Sequence, residues 1–160
     1  MTAPDESEAW LDPIFDAVVS DAQASGYFDK VNTHEPKSAP GYGLTAAVWV
    51  QSIASVGAIS GLSITAARIV FMLRIYQNML MEPQDMIDPM MLKACSNLMR
   101  RYHDDFDFQG AIRNVDLLGQ TGDPLKAEFG YIEISEKLHR ACTLTIPCLV
   151  NDVWPQSSGA

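Results

Sequence analysis

The chain has 160 residues, 48% of them hydrophobic and 19% charged, with a net charge of −9. That length suffices to bury a core without disulfides, and that balance excludes a disordered chain. The negative charge argues against a nucleic-acid clamp, which needs clustered Lys and Arg, but it suits a conduit that phosphates slide past.

The opening stretch MTAPDESEAW carries three acids and no base, unlike a signal peptide, and residues 1–9 are expected to be flexible. Asp12-Pro13 then reads as an N-cap followed by proline at the first helical position. Trp10, Leu11, Ile14, Phe15, Val18, Val19 and Ala22 recur at helical spacing over 13–25, and Gly26 stands where a C-terminal cap belongs. Such a one-faced helix needs an apolar layer to lie on.

Residues 32–43 hold prolines, glycines and the pair His34-Glu35. That composition predicts a loop. Acid/base work by the pair would need a third group converging on it, and neighbours in an extended loop point apart, so a connector is the better reading. Leu44 to Ile53 reads as a strand and Ala54 to Ser63 as a projecting loop. The next strand, from about Thr65 to Gln77, puts Ala67, Ile69, Phe71, Leu73 and Ile75 on one face and Arg68, Val70, Met72, Arg74 and Tyr76 on the other. Gln51, Gly57, Gly61, Arg68 and Arg74 interrupt this apolar region, which excludes a membrane span.

Asp88-Pro89 repeats the capping pair, and Met91, Leu92, Cys95, Leu98, Met99 and Tyr102 form the stripe of a second helix ending near His103. His103-Asp104-Asp105 has metal-friendly side chains, but adjacent ligands at a helix end seldom close a shell alone. Strands follow at Ile112–Leu118, Gly130–Ser135 and Leu138–Val150, the last two joined by a tight Glu136-Lys137 turn. Pro147 places the final strand at an edge or a bulge. Residues 155–160 are expected to be loose. Cys95, Cys142 and Cys148 have neither an even pairing nor metal spacing, which suits buried thiols in a reducing compartment.

The order α-β-β-α-β-β-β packs most economically as a single α+β domain, residues 1–160, with a mostly antiparallel sheet of about five strands and both helices on one face. No nucleophile elbow or phosphate-binding loop occurs, and no catalytic residue, cofactor or metal site is expected. Arg68, Arg74, Arg113 and Arg140 lie in or beside strands, where they serve either a subunit interface or cross-strand pairs with acids such as Asp116 and Glu133. Met79, Met81, Met86, Met90 and Met91 crowd one segment, as in adaptable contact surfaces. Together with Ile59, Leu62 and Ile64 of the uncharged loop, Arg68, Arg74, Met81, Met86, Arg113 and Arg140 form the candidate interface. The loop is expected to become ordered only by assembly.

The blocks GYFDKVNTHEPKSAPGYGLTAAVWVQSI, RIYQNMLMEPQDMIDP, RNVDLLG and HRACTLTIPCLVNDVW resemble those of a small protein encoded among the tail genes of long-tailed actinobacterial bacteriophages, the tail terminator. The resemblance covers about Leu11 to Trp154. It implies a non-enzymatic virion protein, assembled in the host cytoplasm as a hexameric ring. Such a ring caps the tail tube, joins it to the head-completion or neck proteins, and lets DNA pass through its bore without specific binding. Another neck or tail component, such as a head-closure or tube subunit, is the alternative. A small ligand-binding domain or hydrolase is the more distant one.

Overall fold

A computed structural model describes residues 7–34, 43–80 and 83–155. Its strands are β1 (Lys30–Asn32), β2 (Thr45–Val56), β3 (Ile64–Asn78), β4 (Asn114–Val115), β5 (Lys126–Ile134) and β6 (Lys137–Pro155). They form one sheet in the order β1-β2-β3-β6-β4, with β5 also paired to β6. All pairings are antiparallel except β1 with β2. The 19-residue β6 serves two partners in succession on its far side, β5 along Lys137–Thr145 and β4 at Cys148 and Leu149.

Helices α1 (Asp12–Ala24) and α2 (Ile87–Asp104) cover the same face of this sheet. Alternation along the strands supplies the floor: Ala46 and Val48, then Ile69, Phe71, Leu73 and Ile75, then the even positions from Cys142 to Val150. Ile14, Val18 and Ala22 of α1, and Met91, Ala94, Cys95, Leu98 and Tyr102 of α2, close the layer from above. The architecture is therefore the α+β sandwich read from periodicity, with six strands where about five were expected.

The differences have local causes. The strand β1 lies in a stretch assigned to no element, only its last residue, Asn32, falling in the expected loop, and at three residues long it carries no alternation to read. The expected strand Ile112–Leu118 pairs only at Asn114–Val115. β2 runs three residues beyond Ile53, because a bulge at Gln51 lets it follow β3 as far as Val56. Pro147 is neither an edge nor a bulge residue: its carbonyl accepts from the Asp116 N–H at 2.8 Å, so its polar backbone points toward β4. The missing N–H thus faces the place where β6 changes partners, and the ladder to β3 loses nothing. Neither Asp12 nor Asp88 is a cap. Short 3-10 turns, Ala9–Leu11 and Gln84–Met86, lead straight into both helices, which leaves each aspartate in the first turn. Gly26, at φ +79°, does end α1. Residues 1–6 and 156–160 of the ends expected to be flexible lie outside the described residues. Ala9 and Pro155 belong to ordered elements, and Trp10 packs edge-on against Trp154 at 6.2 Å.

Two substitutions probe these details. Phe15 is half-buried, its ring 5.8 Å from that of Phe71. Phe15→Ala should lower stability in urea by about 2 kcal/mol, less than the ~3–5 kcal/mol of a fully buried phenylalanine. An unchanged midpoint would show that α1 is peripheral. The hairpin between β5 and β6 turns at Ser135-Glu136, one residue earlier than expected, with φ +50° and +64°. Both residues are held in the left-handed region that a two-residue hairpin demands and glycine prefers. Glu136→Gly should therefore raise stability by about 1 kcal/mol, and a loss would mean the turn relaxes to another form.

Candidate interaction surface

The most unusual surface is the distal part of the β2–β3 hairpin. No residue from Leu44 to Ala67 is charged. β1 covers only Thr45–Ala47 of β2, so beyond Val50 the outer edge of β2 has no paired strand among the described residues. Six consecutive residues, Val50 to Ser55, are exposed on both faces. The bulge at Gln51 matters here. It restores the pairing so that Val50 lies opposite Phe71 and Ile53 opposite Ile69, which places both side chains on the helix-side face. Among the described residues no helix covers them there, and they are 48% and 49% exposed. At the tip, Leu62 is 100% exposed, whereas Ile59 and Ile64 are half-buried.

The tip nevertheless has its own shape. Gly57–Ile59 form a 3-10 turn, the Ser60 hydroxyl donates to the Val56 carbonyl, and Ser60 Oγ accepts from the Ala66 N–H at 3.0 Å. Gly61 N–H donates to the Ile64 carbonyl, also at 3.0 Å. Ser60 ties the two strands together within a single chain.

A groove lies at the opposite end of the sheet, between the start of α2 and β5. It measures about 550 Å³ and is lined by Asp88, Pro89, Leu92, Lys93, Phe129 and Arg140. Arg140 forms its floor. The guanidinium donates to Asp88 at 2.9 Å and to the Gly130 carbonyl at 3.1 Å, and it stacks over Phe129 and Tyr131 at 5.6 and 4.6 Å. The Asp88 carboxylate holds the Arg140 pKa above its ordinary value. Leu92, expected in the buried stripe of α2, is instead 58% exposed on the rim. The buried residues Met91, Cys95, Leu98 and Tyr102 already complete an i, i+4, i+7, i+11 stripe, and Leu92 falls to its side.

The other arginines are also engaged inside the subunit. Arg68 donates to Asp116 at 3.1 Å, to Thr121 Oγ1 at 2.8 Å and to the Asp123 carbonyl at 2.9 Å. Arg74 donates to Thr143 at 2.8 Å and lies over the Trp49 ring at 5.2 Å. Arg113 donates to Asn151 at 3.1 Å. Whatever contact these arginines make to a second copy, each already has an intramolecular partner, with Asp116 among the acids and Glu133 not. Met86 is 42% exposed beside the groove's helix, and Met81 lies outside the described residues. Sequence reading missed Phe129 and Tyr131, whose signal was their alternation, with Glu133, on the face of β5 that lies beside Arg140 of β6.

The chemically suggestive groups do not converge. His34 is exposed, and Glu35 lies outside the described residues. His103 Nδ1 is 2.8 Å from the Met99 carbonyl of its own helix, and Asp105 accepts from the Gln109 N–H at 2.9 Å, capping the strained turn at Phe108–Gln109. Among the described residues no three His, Cys, Asp or Glu side chains are grouped to hold a metal. A cleft of about 570 Å³ between α1 and the end of α2 contains Ser20, Asp21 and Asp105. Burial raises the Asp21 pKa, and Arg101, 3.4 Å away, opposes that rise. The thiols of Cys95, Cys142 and Cys148 are free and buried. Among the described residues no helix is long and apolar enough to cross a membrane. No known family model matches the chain, and no curated protein matches it either.

Proposed function

We propose that the chain is a structural, non-enzymatic ring subunit of a virion: the tail terminator of a long-tailed phage, capping the tail tube and joining it to head-completion or neck proteins. The observation that carries this reading is the uncharged arm, exposed on both faces from Val50 to Ser55 and tipped by Leu62. In an isolated soluble subunit, such an edge invites pairing and aggregation unless it is charged, shortened or covered. A partner that covers it removes the liability. The resemblance of the sequence blocks supports the terminator role in particular, and the net charge of −9 suits a bore through which DNA passes without sticking.

The reading is tested by adding the purified chain to polymerising tail tube subunits. A terminator stops elongation and leaves a ring at one tube end, visible by electron microscopy. If the chain instead extends tubes of its own, it is a tube subunit. If it leaves tube length and tube ends unchanged, the terminator assignment fails.

A further inference from the structure

The arm and the groove are both apolar surfaces, and they cannot meet within one subunit. Ile64, at the root of the tip, pairs with Pro155, while Arg140 in the groove pairs with Gln77. Thirteen residues of β3 separate those positions, roughly 40 Å of extended strand. We infer that the arm tip of one copy docks into the α2–β5 groove of the next, with Leu62 as the inserted side chain. This rests on the ring reading above and names the joint by which a ring closes.

Three observations favour a second copy as the occupant. Two copies carrying −9 each repel over most of their surfaces, so an uncharged arm is the part that approaches with the least electrostatic penalty. The groove itself departs from the acidic average, with Asp88 against Lys93 and Arg140. Its floor charge is already neutralised by the 2.9 Å Asp88–Arg140 pair, so an apolar tip can cover it without burying an unpaired ion. Ser60 also holds the tip in shape beforehand, which lowers the ordering entropy of docking.

The contact is head-to-tail, because the giving and receiving surfaces differ. Repeated around an axis it generates a ring where the rotation closes and a filament where it does not. One tip in one groove is small beside the ~800 Å² per partner of a stable interface, so an isolated pair is weak. In a closed ring every copy gives one arm and receives one, and release of a subunit must break two joints at once.

The test uses two single variants, Leu62→Cys and Leu92→Cys, both at exposed positions that leave the core untouched. The natural cysteines are at most 3% exposed and do not compete. Each variant is oxidised alone and in an equal mixture, with oligomer mass measured on the same samples. Disulfide-linked pairs confined to the mixture are the expected result. Oligomers without that cross-link would overturn the docking and leave the ring reading standing. Cross-linked pairs that never grow beyond open chains would support the docking and count against the ring. Monomers with no cross-link, in solution and on tail tubes alike, would overturn both. As a second check, Leu62→Asp should abolish the oligomer while the subunit keeps its wild-type circular dichroism spectrum, and an unchanged oligomer would overturn the docking.

Discussion

Asp116→Ala is expected to destabilise the chain by about 3–5 kcal/mol, the range for removing one member of a buried ion pair. The Asp116 and Arg68 side chains are 3% and 12% exposed, so the substitution strands a guanidinium with little access to water. It also orphans the backbone. The Asp116 carboxylate accepts from the N–H groups of Gln120 and Thr121 at 2.8 and 2.9 Å and from the Thr121 hydroxyl at 2.6 Å. One carboxylate thereby folds the whole connection from β4 to β5. Gly119 completes it at φ +79°, where a Cβ would come within 2.8 Å of the Gly122 carbonyl.

The same group gives a pH signature. Burial alone would raise the Asp116 pKa, but the hydrogen bonds from Thr121 and Gln120 and the Arg68 charge outweigh it and hold the carboxyl below its ordinary value. A depressed folded pKa contributes stability that is fully present above the unfolded value of ~3.9 and is lost as the pH falls through the folded one. Urea midpoints for the wild type should therefore fall across that acidic window, and those of Asp116→Asn should fall less. Parallel declines would remove Asp116 from the account. Arg68 stands opposite Ala54 of β2 and Leu149 of β6, so this network also braces the root of the arm.

Leu144→Ala is the second large effect, at about 2–5 kcal/mol. Leu144 is fully buried on β6, opposite Leu73 on one side and Ala127 on the other. With a ladder on both flanks, the strands cannot close the hole left by the missing carbons, which puts the loss in the upper half of that range. A loss under ~1 kcal/mol would mean that the helices do not seal this part of the sheet.

The layered fold was legible because periodicity reports burial. Ile69 to Ile75 alternate at period two, Met91 to Tyr102 recur at helical spacing, and each pattern fixed a face that the structure keeps. What alternation cannot report is a change of register. Nothing in the residues around Gln51 announces a bulge, yet that one extra residue brings Val50 and Ile53 onto the same face and defines the arm. Partner choice was equally hidden. Arg68 and Arg140 were recognisable as interesting, but whether they face a second subunit or Asp116 and Asp88 depends on loops that come together only in three dimensions. The groove was least visible of all, since Leu92 and Phe129 belong to different elements joined by no motif.

Electron microscopy combined with native mass measurement of the purified chain, alone and with tail tubes, addresses the central claim most directly. The account predicts closed rings of about six 17.6 kDa copies, the stoichiometry implied by the resemblance, either free or seated at tube ends, with arm and groove in contact between neighbours. Monomers in solution together with bare tube ends would contradict it.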